Sequence, residues 1–260
     1  MNELSSLYRH RQLIAALTAR DLKARYRGSI LGFFWSLANP LLLLAVYTLV
    51  FTKFFPRQDV TPYPLFLFSG ILPWTFFAAA TLEATNAISS NAGLIKKVMF
   101  PAEALPLVVV LSHLVHFVAA LPILLAAILG FAALGKFAVS WTILLVPFVM
   151  VLQAIFVAGI ALIVSSASVL FRDLRDILAN LLQLGFFLTP ILYVSSQIES
   201  RPLRALLRLN PMTPFVVTYQ NLLFQRQLPN LSDALLIIVY AALSLYGGFF
   251  VFDRLRDTFA

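Results

Sequence analysis

The composition of this chain excludes a soluble globular protein. Of its 260 residues, 61% are hydrophobic and only 12% are charged, whereas a soluble domain usually carries about a quarter charged residues. The formal net charge is +8. The chain has no cysteine, which excludes disulfides, thiolate metal sites and thiol catalysis.

Six stretches without Asp, Glu, Lys or Arg are long enough to cross a membrane, because a helical span needs about 20 mostly apolar residues. The stretches are residues 28–52, 60–82, 104–135, 137–171, 177–198 and 234–252. Together they hold 156 of the 260 residues, which leaves no room for a separate soluble domain. We therefore predict an all-α integral membrane fold with six transmembrane helices in a single domain, residues 1–260.

The polar segments between these stretches predict the orientation of the chain. If the N-terminus is inside, the inner segments hold twelve Lys and Arg residues and the outer segments hold seven. Positively charged segments stay cytoplasmic, so we expect both termini in the cytoplasm. The positive charge is then explained by topology and by attraction to anionic lipid, which disfavours a nucleic-acid partner.

Two segments outside the predicted spans carry helix signals. Residues 7–26 place apolar residues near helical spacing among basic ones. This pattern predicts an amphipathic helix at the cytoplasmic surface within residues 1–27, either as a topology anchor or as a docking helix for a partner. Between the fifth and sixth spans, Asn210-Pro211 and Thr213-Pro214 interrupt an apolar segment, which predicts two short outer re-entrant half-helices.

The run GFAALGKF at residues 130–137 has the spacing of a nucleotide phosphate loop. Phe137 replaces the Ser or Thr that binds magnesium in such a loop, and no strand precedes the run. We therefore reject this motif. The chain shows no means of hydrolysing ATP by itself.

The distribution of ionisable residues bears on the energy source. All eleven Asp and Glu residues lie outside the six stretches, whereas ion-coupled transporters commonly place acids inside the membrane. His113 and His116 lie inside the third stretch on one helix face, and they either form interhelical hydrogen bonds or serve transport. Residues 172–176, RDLRD, read as a turn of alternating charge, with a pair of metal-chelating carboxylates as the alternative. No catalytic or metal-ligand spacing is otherwise present.

Several ordered motifs resemble one family over essentially the whole chain. They are RDLKARYRGSILGFFW at 20–35, NAGLIKKVMFPAE at 91–103, FRDLRD at 171–176, TPI at 189–191 and NP at 210–211. They are similar to the permease subunits of type-two ABC exporters for O-antigen, teichoic acid and related polysaccharides.

The resemblance implies a homodimer of this chain with two copies of a separate ATPase subunit, no cofactor, and a location in the bacterial inner membrane. It implies that the N-terminal helix and the loop between spans two and three couple to the ATPase. The residues assigned to that coupling are Arg20, Asp21, Lys23, Gly93, Leu94, Ile95, Lys96, Lys97 and Pro101.

The expected mechanism is export of a lipid-linked polysaccharide, most simply of the O-antigen type, through a channel between two copies. Arg25 and Arg27, beside the first span, are the expected ligands of the lipid pyrophosphate. Aromatic faces would line the channel, with an interfacial aromatic belt or lipid-facing packing as the alternative for most of them. The candidates are Trp35, Tyr47, Phe51, Phe66, Phe68, Trp74, Phe76 and Phe77. The alternatives are a small-molecule or drug efflux permease of the same architecture and an integral-membrane enzyme of envelope lipid synthesis.

Overall fold

A computed structural model of the chain describes residues 10–27, 34–54, 60–91, 93, 101–171, 173–194, 198, 200, 202, 207 and 209–256. Within these ranges the regular structure is helical throughout, with no strand. Helices satisfy their own backbone hydrogen bonds, as the interior of a bilayer requires. The predicted all-α class is confirmed.

Eight α-helices lie wholly within the described ranges, and we number them in chain order. They are α1 Arg11–Tyr26, α2 Phe34–Leu49, α3 Tyr63–Ala84, α4 Ala104–Ala133, α5 Val146–Leu170, α6 Leu174–Leu188, α7 Met212–Gln220 and α8 Leu231–Leu255. Short π-helical turns extend α2 over Val50–Phe54 and α7 over Asn221–Gln225. A 3-10 turn, Trp141–Leu145, leads into α5.

Six of these helices, α2 to α6 and α8, overlap the six charge-free stretches, and α3, α6 and α8 extend beyond theirs. Four described helices are long and apolar enough to cross a membrane: α3, α4, α5 with its 3-10 turn, and α8. By contrast α6 has 15 residues, which corresponds to about 22 Å against a hydrocarbon core of about 30 Å. The described residues therefore support four spans, and the count of six stays a prediction.

The interior of the bundle is formed around α3 and α7. Helix α7 contacts α3, α5 and α8, and its side chains Phe215, Tyr219 and Leu222 are fully buried. Helix α7 lies where the second of the two short helices was predicted, and the first falls largely outside the described residues; that they are outer re-entrant half-helices stays a prediction.

Polar side chains hold the chain on both sides of α7. Helix α6 ends at Leu188, directly before Thr189-Pro190. The side-chain amide of Asn210 donates to the hydroxyl of Thr189 at 2.8 Å, and that of Gln220 donates to the carbonyl of Pro190 at 2.8 Å. These bonds satisfy buried polar groups and fix α7 against the end of α6.

Small residues let α5 and α8 approach closely. A Cβ added at Gly159 of α5 would collide with the backbone of Ser244, and one at Gly248 of α8 would lie 2.5 Å from the carbonyl oxygen of Gly159. Small residues at such positions are typical of close contacts between membrane helices. The backbones of the two helices can touch here only because Gly159 and Gly248 have no side chain.

This contact gives a stability prediction with a control in the same helix. Gly248→Ala should destabilise the protein by about 1–3 kcal/mol, because the added methyl group overpacks a rigid backbone contact. Gly247→Ala should be neutral or stabilising by up to about 1 kcal/mol, because the space beside Gly247 is open and alanine favours helix. Thermal unfolding in one detergent measures both variants, and equal midpoints would contradict the contact.

Residues 130–137, which have the spacing of a phosphate loop, lie at the C-terminal end of α4. Gly135 has a φ of +68°, its N–H donates to the carbonyl of Ala132 at 2.9 Å, and the N–H of Lys136 donates to Phe131 at 3.0 Å. This is the pattern of a glycine-terminated helix. A phosphate loop instead follows a strand and precedes a helix, so the rejection of the motif agrees with the local structure.

Candidate functional site

An open cleft of about 420 Å³ lies between α2, α3 and α6. Four aromatic side chains line it: Tyr47 from α2, Trp74 from α3, and Phe186 and Phe187 from α6. The amide side chain of Gln183, also from α6, is exposed on the cleft. The cleft thus combines aromatic faces with an uncharged hydrogen-bonding group.

The aromatic rings form a connected wall. The ring centre of Phe186 lies 5.9 Å from that of Tyr47 in a stacked arrangement and 6.1 Å from that of Trp74 in an edge-to-face arrangement. Phe187 meets Phe186 edge to face at 5.3 Å. Aromatic pairs at these distances attract one another beyond the burial of their area. The wall therefore joins all three helices of the cleft.

Gly185 allows this wall to form. A Cβ at Gly185 would lie 3.0 Å from the indole of Trp74, so the ring occupies the space that a larger residue would fill. Trp74 itself is nearly buried, whereas the side chain of Phe187 is 57% exposed. A ligand in the cleft would therefore meet mainly Tyr47 and Phe187, with Trp74 as their support.

A cluster of charged side chains joins α1 to α3 and α4. The two terminal nitrogens of Arg25 donate to the two carboxylate oxygens of Glu83, with Nη1 to Oε2 at 2.7 Å. The Nε of Arg25 donates to Oδ2 of Asp21 at 2.8 Å. The Nε2 of His113 lies 2.8 Å from Oε2 of Glu83. One carboxylate therefore binds side chains from two other helices.

Burial acts to lower the pKa of Arg25, but hydrogen bonds and charge interactions with Glu83 and Asp21 raise that pKa above its ordinary value. A bidentate bond between guanidinium and carboxylate is among the strongest and most directional pairs in proteins. Arg25 is consequently a fixed cation.

Apolar contacts hold the earlier part of α1. Ile14 and Leu17 are buried against Ala104 and Val108 of α4. These two side chains therefore lie against the protein. The reason is that α4 begins beside α1 with small and β-branched residues that accept them.

The structure distinguishes the residues predicted for coupling. Arg20 and Lys23 are exposed on α1, while Asp21 pairs with Arg25. Gly93 is exposed and Pro101 is buried. Leu94, Ile95, Lys96 and Lys97 lie outside the described residues.

The two arginines predicted to bind the lipid pyrophosphate have different surroundings. Arg27 is exposed just beyond the end of α1. Arg25 is bound to Glu83 and Asp21. A phosphate group can therefore reach Arg27 directly, whereas at Arg25 it would have to replace a carboxylate.

The eight predicted aromatics fall into three groups. Tyr47 and Trp74 line the cleft, and Phe77 meets Trp74 edge to face at 5.6 Å. Phe66, Phe68 and Phe76 are buried in the interior of this chain, where they meet other side chains instead of the cleft. The side chains of Trp35 and Phe51 lie outside the described part.

Three residues of the cleft were missed from the sequence: Gln183, Phe186 and Phe187. Their stretch, residues 177–198, was recognised as apolar. The sequence signal that could have identified them is an amide residue followed by two adjacent phenylalanines.

His113 contacts Glu83 across two helices, which is the interhelical hydrogen bond considered for His113 from the sequence. Glu83 lies one residue beyond its charge-free stretch but within α3, so the helix of one predicted span does contain a carboxylate. Among the described residues, no group of three or more His, Cys, Asp or Glu residues is close enough to hold a metal ion.

The long apolar helices define a multi-pass helical membrane protein. Residues 12–224 match the family model described as ABC-2 type transporter. The chain belongs to the ABC-2 type transporter family.

Individual relatives cover nearly the whole chain. The chain is 39% identical over 255 residues to the "O-antigen export system permease protein RfbA" of Myxococcus xanthus, covering 98% of this chain and 96% of that protein. A Klebsiella pneumoniae protein of the same name is 32% identical over 248 residues, 95% of this chain and 93% of its own length. The "Polysialic acid transport protein KpsM" of Escherichia coli is 26% identical over 185 residues, 69% of each. The family resemblance found in the sequence is confirmed, and it makes this chain a transport component of an ABC transporter and not an enzyme.

Proposed function

We propose that this chain forms the membrane channel of an ATP-driven exporter that moves a lipid-linked polysaccharide, of the O-antigen type, out of the bacterial cytoplasm. The observation that carries the proposal is the aromatic cleft between α2, α3 and α6, in a chain whose relatives are named as O-antigen export permeases. The family implies an ABC ATPase as the partner that supplies the energy.

The cleft has the chemistry of a sliding surface for sugar rings. The C–H groups on the face of a sugar carry partial positive charge, and the faces of aromatic rings are negative. Stacking of this kind tolerates different sugars and needs no deep pocket. The amide of Gln183 can exchange hydrogen bonds with passing hydroxyl groups, because it is uncharged and exposed.

The cleft is open on one side, and a second copy of the chain would close it. Two helices of the cleft expose large apolar side chains beside it. Helix α2 exposes Leu42 and Val46, and helix α6 exposes Leu181 and Leu184. Two copies that meet through these helices would enclose a path with aromatic walls. We therefore propose a homodimer served by two copies of the ATPase.

Coupling is proposed at the side where α1 lies. Exposed Arg20 and Lys23 of α1 and the segment from Gly93 through Lys96 and Lys97 to Pro101 would receive the motion of the ATPase. For the lipid pyrophosphate, Arg27 is the first contact because it is exposed. Arg25 is available to the pyrophosphate only if it leaves Glu83.

We also propose how the chain is arranged in the membrane. The chain would lie in the inner membrane as a single domain with six spans and both termini in the cytoplasm. Helix α1 would lie at the cytoplasmic interface, and α7 would be a re-entrant half-helix on the outer side. The positive charge of the segments assigned to the inside supports this orientation.

Deletion of the gene in its own host tests the proposal. Lipid-linked polymer should accumulate on the cytoplasmic side and disappear from the cell surface, and a plasmid copy should restore export. Normal surface polymer in the deletion strain, with the ATPase still present, would overturn the proposed function.

A further inference from the structure

We propose that Glu83 is a positioning residue for transport, which together with Arg25 joins α1 to α3 so that the two helices move as one body. The proposal rests on the proposed function, because it takes α1 to be a helix that receives the motion of the ATPase. It assigns to Glu83 the transfer of that motion to the helix that forms one wall of the aromatic cleft.

The two hydrogen bonds between Arg25 and Glu83 fix the relative orientation of the two side chains as well as the distance between them. Each terminal nitrogen of Arg25 donates to one carboxylate oxygen of Glu83, a residue 58 positions later in the chain. A planar guanidinium bound in this way resists rotation about the contact. Asp21 holds the Nε of the same guanidinium at 2.8 Å, one helical turn away on α1. Arg25 is therefore oriented from its own helix and cannot swing freely toward another carboxylate.

Glu83 is likewise held from a second direction. His113 of α4 contacts its Oε2 atom at 2.8 Å, and the side chain of His113 is only 12% exposed. The side chain of Arg25 is 22% exposed, so water screens the pair with Glu83 only in part. Removing either partner would leave the other, a partly buried charge, with one opposite charge fewer beside it.

Helix α3 connects the pair with the cleft. Glu83 follows Trp74 by nine residues, which is about 13 Å along a helix. No proline or glycine interrupts residues 74–83, and Pro73 lies just before them. The segment can therefore act as a stiff rod, and a displacement of Glu83 would move Trp74 and the rings that it supports.

The contacts of α1 with α4 do not provide the same link. Ile14 and Leu17 are buried on Ala104 and Val108, and apolar contacts of this kind are not directional. They hold α1 near the bundle but allow it to slide. The Arg25–Glu83 pair adds a directional contact between α1 and α3.

The absence of cysteine from the chain permits a direct test in the intact complex. The permease and a cysteine-free version of its ATPase are reconstituted together in vesicles, and polymer exported per ATP hydrolysed is measured. Arg25→Ala, Glu83→Ala and Glu83→Gln should each lower this ratio by about tenfold, as loss of a coupling interaction does, while ATP hydrolysis continues. The double variant Arg25→Cys, Glu83→Cys should behave like them until a short bismaleimide joins the two sulfurs, which should restore most of the wild-type ratio.

The controls separate this inference from the proposed function. Arg256→Ala, which removes an exposed cation at the end of α8, and linker-treated wild type should both keep the wild-type ratio. A wild-type ratio in Glu83→Ala and Glu83→Gln would overturn the inference, as would complete linking that leaves the ratio of the double variant unchanged. If the wild-type complex exports no polymer at all, the proposed function fails instead.

Discussion

Truncation of two cleft aromatics, in the double variant Tyr47→Ala, Phe187→Ala, should lower polymer export about tenfold. Each aromatic contact contributes roughly 0.7 kcal/mol, and two of them lost from the rate-limiting passage amount to about tenfold in rate. These side chains are chosen because Tyr47 is half-buried and Phe187 is 57% exposed. Their removal therefore costs less stability than removal of the nearly buried Trp74. Export in reconstituted vesicles measures the effect.

A matched aromatic outside the cleft controls for the loss of apolar surface. Phe148 on α5 is 62% exposed and does not line the cleft. Phe148→Ala should export at the wild-type rate, and both variants should assemble with the ATPase. If the double variant exports as fast as Phe148→Ala, the cleft does not lie on the path of the polymer.

Loss of Arg27 should reduce export at least about tenfold, because a hydrogen bond to a charged group contributes roughly 1.5–3 kcal/mol. Arg27→Lys keeps the charge but loses the planar fork that binds two phosphate oxygens at once, so it should reduce export only in part. Lipid-linked polymer should accumulate in the cytoplasm in both variants. Quantifying surface and cytoplasmic polymer in the same cells measures this.

Comparing Arg27→Ala with Arg27→Lys separates recognition of the lipid pyrophosphate from the effect of Arg27 on the membrane orientation of the chain. Positive charge alone keeps a segment cytoplasmic, so Arg27→Lys should insert normally. Arg256→Ala, the exposed cation control on α8, should export normally. Wild-type export by both Arg27→Ala and Arg27→Lys, at equal protein levels, would mean that Arg27 only anchors topology.

The sequence contained most of the information on where helices begin and end. Charge-free length identified the apolar helices, because a bilayer imposes one minimum length on every span. Thr189-Pro190 marked the end of α6, because proline cannot donate the next helical hydrogen bond. Gly159 marked a close helix contact, because only small residues let two backbones approach.

The faces of those helices could not be read in the same way. In an apolar stretch, buried and exposed positions carry similar residues, since lipid and protein interior are both apolar. Phe68 and Phe187 therefore look alike in sequence, yet one is buried and the other is on the cleft.

Long-range polar contacts were also beyond sequence reasoning. Arg25 and Glu83 are 58 residues apart, and nothing local identifies one as the partner of the other. Arg25 and Arg27 were given one role because they are neighbours in the chain. The structure separates them, because Arg25 is oriented toward α3 while Arg27 lies beyond the helix end.

The most direct measurement of the central claim is ATP-dependent uptake of lipid-linked polymer into inverted membrane vesicles. Vesicles that contain this chain and its ATPase should take up the polymer when ATP is present, and vesicles that lack either subunit should not. The purified chain alone should hydrolyse no ATP. Uptake at the full rate without ATP, or no uptake by the complete complex while it hydrolyses ATP, would contradict an ATP-driven polysaccharide exporter.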